Sequence, residues 1–212
     1  MLDKLLTKVN QQLTDLGLYI KQGEVSIVDA SVIEAKQCRP NKSKQGEPTQ
    51  DPDAAWNVKK GSDGKRKSTY GYKTHMNVDE DGFIKSVGFT ACNVHDSQCF
   101  TELLDGDETA VYADSAYVSE AHSTWLSQRG IDNRMLKRAY RNRPLTKGER
   151  AFNRIHSGVR STVERVFGVL KQHDGMGKAR YLGLGRNRTR VMLMSMAYNL
   201  KRGCSIQQAS CV

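Results

Sequence analysis

The chain has 212 residues, enough for one sizeable core or one domain with a small appendage. Its 33 Lys and Arg against 23 Asp and Glu give a formal charge of +10, a balance that favours polyanionic partners, nucleic acid before membrane. No run approaches the roughly 18 apolar residues of a membrane span, the start carries acids and no cleavage-site pattern, and five scattered cysteines without a C-x-x-C pair read as reduced thiols of a cytoplasmic protein. Cys92, His95 and Cys99 do not follow a structural zinc spacing.

Taken in order, residues 1–20 place Leu2, Leu5, Leu6, Val9, Leu13 and Leu16 on one helical face. This predicts an amphipathic helix whose partner the opening segment does not supply. Val25 to Val28 is a short apolar run of the kind found in a central strand of an α/β sheet, and Asp29 closes it. Residues 38–69 read as a long polar loop with a basic end suited to a phosphate backbone, and with Asp51 and Asp53 as turn formers. From Tyr70 the period becomes two: YGYKTHMNV, the turn DEDG, then FIKSVGFTA predict a β-hairpin in which His75 is an ordinary strand histidine. Asp96 or Ser97 is expected to cap a helix carrying Phe100, Leu103 and Leu104.

Ala110 to Ala113 is a second buried-type strand, ended by Asp114 and followed by a helix with Trp125 and Leu126 that stops at Gly130. DNRMLKR reads as a last strand. Nine basic residues and one acid then lie between Arg134 and Arg160, a run less mixed in sign than a solvated helix normally shows. Thr146 is the expected cap of the next helix, in which Ile155, Val159, Val163, Val166, Phe167 and Leu170 form an apolar stripe. Arg160, Glu164 and Lys171 line up within about 40° along its border. A terminal helix through VMLMSMAYNLKR has methionines suited to core packing.

Asp29 and Asp114 thus end two buried-type strands, and Glu164 sits between cations at the margin of a core. Carboxylates so placed are costly when charged and repel one another, and a shared divalent cation removes both objections. Magnesium favours carboxylate oxygens, and a pair of such ions suits in-line displacement at phosphorus. On a basic chain this points to phosphoryl transfer on nucleic acid, with Arg160 and Lys171 contacting phosphate oxygens or steadying Glu164.

The succession VDAS, YGYKTHMNVDEDG, ACNVHDS, VYADSAY and VRSTVERVFGVLK resembles the DDE transposases of bacterial insertion sequences, particularly the insertion-sequence-five group within the transposase-four-like superfamily. The resemblance implies an α/β fold with a ribonuclease-H-like mixed five-stranded sheet flanked by helices. It implies that Asp29, Asp114 and Glu164 are the catalytic metal ligands for two Mg²⁺ ions, with Mn²⁺ as a substitute. It implies work at the nucleoid on double-stranded DNA, both element ends and target, by a homo-oligomer. The superfamily signature Tyr-x-x-Arg-x-x-x-Glu-x-x-x-x-x-x-Lys is met by Arg160, Glu164 and Lys171, while Ser157 stands where it has tyrosine. The basic residues Arg141, Arg143, Lys147 and Arg154 are expected to contact DNA phosphates.

Similar transposases carry a substantial helical region before the first aspartate. Here residues 1–24 are read as a helix left from, or leading out of, such a region, 25–202 as the catalytic domain and 203–212 as a tail, with a separate N-terminal DNA-binding polypeptide as a possible partner. Two other readings stay open at this point: a ribonuclease-H-like nuclease of different specificity, and a DNA-binding remnant that cleaves poorly or not at all.

Overall fold

Side-chain parity along the strands divides the core into two layers. In the computed structural model, which describes residues 2–18, 24–36, 51–60 and 64–210, β1 (Val25–Glu34) turns Val25, Ile27 and Ile33 toward one layer and Val28 toward the other. Apolar residues on both faces mark a central strand. β1 pairs antiparallel with β3 (Arg66–Val78) and parallel with β5 (Ala110–Ala113), which in turn pairs parallel with the two-residue β6 (Asp132–Asn133). β4 (Ile84–Ala91) adds antiparallel to the second half of β3, and β2 (Ala55–Lys60) to its first half. The order β4-β3-β1-β5-β6, with β2 as an addition on the long β3, is the mixed sheet of a ribonuclease-H-like fold.

The first layer is covered by α1 (Leu2–Asp15), α3 (Lys147–Gln172) and α4 (Leu184–Ser210), which contribute Leu6, Val163, Val166, Leu170, Val191 and Met192. Each such buried side chain contributes about 1.5–3 kcal/mol. The second is covered by two 3₁₀ turns, Asp96–Cys99 and Thr101–Leu103, and by α2 (Glu120–Gln128). The opening helix finds its partners within the chain: it packs on α4 and β4, where buried Asn10 and Asn199 both donate to the Ile84 carbonyl, at 3.0 and 2.8 Å. α4 continues to Ser210, through most of the residues read as a tail.

Several expectations are corrected. The loop expected over 38–69 contains β2 and the start of β3 in its second half; residues 38–50 and 61–63 lie outside those described. Asp51 is a buried anchor as well as a turn former. It accepts from the Tyr72 hydroxyl and from Gly183 N at 2.9 Å, while Asp53 accepts from Leu184 N at 2.8 Å, so the two acids pin the start of α4 to β3. β1 runs on to Glu34, and Asp29 marks only the end of its pairing with β5. The segment after β4 forms 3₁₀ turns with His95 as the cap, because Asp96 is taken up by Lys73, 2.7 Å away. The predicted last strand shrinks to β6. Ile155 is 69% exposed, because at that level α3 turns His156 rather than Ile155 toward Tyr112 of β5.

Two predictions follow from buried polar groups. Asp51→Ala leaves the Tyr72 hydroxyl and Gly183 amide without their acceptor, so urea unfolding is expected to show a loss of about 2–3 kcal/mol. His75 is fully buried, with Nε2 2.9 Å from Thr90 Oγ1, and burial pushes its pKa down to about 4, against a smaller upward pull from Asp96. The unfolded chain therefore binds a proton that the folded one does not. Stability from this group is full above the unfolded value of 6.5 and is lost as pH falls toward 4. The loss amounts to about 3 kcal/mol, and a His75→Asn variant lacks that component in denaturation midpoints followed over this pH range.

Candidate active site

The parallel register sets Val28 opposite Ala113, so the next residues, Asp29 and Asp114, emerge side by side from strands about 4.8 Å apart. Backbone groups orient both. Ala30 N donates to Asp29 Oδ1 at 2.8 Å, and Ser115 N donates to Asp114 Oδ1 at 2.6 Å as Asp114 caps the 3₁₀ turn Ser115–Tyr117. α3 begins at a capping box in which Thr146 and Glu149 satisfy each other's backbone amides, and it is fixed against the sheet through Val163, Val166, Phe167 and Leu170. That seating brings Arg160 and Glu164 over the two aspartates.

Arg160 is the centre of the group. Its Nη2 donates to Asp29 Oδ2 at 3.0 Å and to Glu164 Oε1 at 3.3 Å, and its Nη1 lies 4.0 Å from Asp114 Oδ1. Side-chain exposure rises from 12% at Arg160 and 20% at Asp29 to 46% at Asp114 and 59% at Glu164, so the site is closed at its base and open on the side of Asp114 and Glu164. Burial pushes the Asp29 carboxyl above its usual range; the charge of Arg160 and the Ala30 amide pull it back, and Asp114 adds repulsion. The bland alternative for Arg160 and Glu164, a surface ion pair worth little, does not describe a guanidinium this buried that faces three acids.

The donor set fits a hard divalent cation: all ligands are oxygens, and Asp114 Oδ2 and Glu164 Oε2 carry no hydrogen bond among the described residues. With Arg160 between them, the three carboxylates are not gathered within 4.8 Å of one another. Among the described residues the acids that are so gathered are Asp105, Asp107 and Glu108. That cluster is a turn: Glu108 accepts from Asp105 N and Gly106 N, both at 2.9 Å, and from Ser26 Oγ at 3.2 Å.

The other expected residues fall in two further places. Lys171 lies farther along α3, beside Glu34 and Lys67. Arg141, Arg143, Lys147 and Arg154 are exposed on the arm leading into α3 and on its first turns, with Arg143 paired to Glu149 at 2.8 Å. Ser157 is exposed and donates to the Arg154 carbonyl at 3.1 Å. Sequence reasoning missed Tyr117, whose buried hydroxyl has no hydrogen-bond partner among the described residues and whose acidity is suppressed by burial and by Asp29. It also missed His156, packed between Phe152 and Tyr112. The tyrosine in VYADSAY was visible, but nothing in its spacing tells that it points beneath the aspartates.

The sequence pattern of the transposase DDE domain matches residues 20–200. The chain is also 31% identical over 216 residues to the transposase for insertion sequence element IS1106 of Neisseria meningitidis serogroup B, an alignment that covers 96% of this chain and 73% of that protein. Divalent-metal use and DNA binding come with that family. No helix among the described residues is long and apolar enough to cross a membrane. A mixed sheet that sets two aspartates side by side, a late helix that adds a glutamate, and these two matches agree: the chain belongs to the transposase DDE domain family, enzymes that cut and join DNA strands.

Proposed function

We propose that Asp29, Asp114 and Glu164 are the catalytic carboxylates of an insertion-sequence transposase and hold two Mg²⁺ ions, for which Mn²⁺ can substitute. The observation that carries this reading is the convergence on Arg160 of three acids from a central strand, its parallel neighbour and a late helix. When bound, the ions supply the positive charge that activates an oxygen nucleophile and offsets charge on the leaving oxygen. Asp29 and Asp114 are held by their backbone hydrogen bonds, so their oxygens need little reorganisation. Glu164 is carried by a helix whose buried stripe fixes its height above the sheet. Arg160 keeps the acids together and stays within reach of phosphate oxygens.

In the first reaction a water oxygen bonds to phosphorus at the element's end and a 3′-oxygen leaves with a proton. In the second the oxygen of that 3′-hydroxyl bonds to a target phosphorus and gives up its proton, as the target's own 3′-oxygen leaves and takes one. No covalent enzyme intermediate is required. The domain responsible is taken as residues 25–202, acting as an oligomer on double-stranded DNA, with Arg141, Arg143, Lys147 and Arg154 along the backbone of the duplex.

Nicking and strand transfer on DNA bearing element ends are expected to require Mg²⁺ or Mn²⁺. In Asp29→Asn, Asp114→Asn and Glu164→Gln both activities should fall to the level seen with chelator, while circular dichroism stays that of the native chain. Undiminished activity in these variants would sink the assignment. The arm makes a separate forecast: converting Arg141, Lys147 and Arg154 together to glutamine should reduce the slope of log affinity against log salt by about 2–3 for duplex DNA, one phosphate contact being worth about 0.9.

A further inference from the structure

α3 and β1 run alongside each other, with Arg160 at Asp29 and Lys171 beside Glu34. The helical rise from 160 to 171 and the strand rise from 29 to 34 are both about 16 Å, so the two elements keep step. At their far end β1, the β2–β3 hairpin and α3 enclose a cleft of about 380 Å³, lined by Glu34, Asn57, Lys67, Thr69 and Lys171 among others. The hairpin register places Asn57 opposite Thr69, and Lys67 lies two residues from Thr69 on the same strand, so all three present one face to the cleft.

Two ammonium groups, an amide and a hydroxyl meet here, with Glu34 as the one acid among the lining residues. Lysines converging in this way repel each other. Lys171 is held below the usual lysine range by burial, with Glu34 pulling it back up and Lys67 adding a smaller downward push. An anion with several oxygens and a single charge relieves that repulsion and uses the neutral donors, which describes a phosphodiester.

We propose that Lys67, Asn57 and Thr69 of the β2–β3 hairpin close against Lys171 as a clamp on the phosphate backbone of the DNA strand whose cleavage the carboxylates perform. The inference rests on the reading of Asp29, Asp114 and Glu164 given above. The clamp lies about 16 Å from that group, a few phosphates away along one strand. The hairpin thereby fixes the reading frame of the backbone relative to the scissile bond.

The test is duplex binding by the full chain carrying Glu164→Gln, so that no strand is cut, followed by fluorescence anisotropy over a series of salt concentrations. Adding Lys67→Gln should lower the slope of log affinity against log salt by about 0.9. Lys67→Arg should restore it, and Asn57→Ala should weaken binding without altering the slope. An unchanged slope in Lys67→Gln overturns the clamp. Nicking by the chain with its native Glu164 is read separately: absent nicking with a lowered slope removes the catalytic assignment and keeps the clamp, while preserved nicking with an unchanged slope removes the clamp alone.

Discussion

The arrangement depends on one guanidinium. Asp29, Asp114 and Glu164 come from three distant parts of the chain, and three carboxylates brought to the edge of a core repel one another and lose hydration. Arg160 answers both costs at once, with two hydrogen bonds and a third acid at 4.0 Å, while its own charge is satisfied by the acids it gathers. The rest of the fold sets up that meeting. The β1–β5 register delivers the two aspartates as neighbours, and the buried stripe of α3 sets the arginine above them.

The two core layers divide the labour. One, formed with α1, α3 and α4, carries the helix that bears Glu164. The other supports the strand ends from below, and its polar members are arranged to stay put. Lys73, almost fully buried, donates to the Val94 carbonyl at 2.6 Å and pairs with Asp96, next to a neutral His75. A buried pair of this kind contributes little net stability but is strongly destabilising to break, so it resists rearrangement beneath the site.

Much of this was legible in the sequence because local signals and global fold agree. The period-two run around DEDG gave the β3–β4 hairpin, Thr146 gave the start of α3, and the two apolar runs ending in aspartate gave β1 and β5. What escaped depends on contacts that no local pattern encodes. Asp51 looks like a turn residue because its partner Gly183 is remote in sequence. β2 hides in a polar stretch because its short alternation turns the apolar residues, Trp56 and Val58, outward. Periodicity put Ile155 on the stripe, but it cannot tell that His156 takes the place against Tyr112 at that level of the helix. The carboxylates were legible as types and positions; that an arginine stands between them was not, since that depends on the angle at which α3 crosses the sheet.

α3 has a mechanical character as well. It has 26 residues, about 39 Å of rise, and its fully buried side chains begin only at Val163. Its first half is held at separate points, by His156 against Tyr112 of β5 and by Asn153, which bonds both backbone groups of Lys137 at 2.8 and 2.9 Å. The basic residues sit toward the start of the helix, and Arg160 and Glu164 flank the point where its fully buried stripe begins. A tilt of this one continuous helix therefore moves the basic side chains at its start and the carboxylate of Glu164 together.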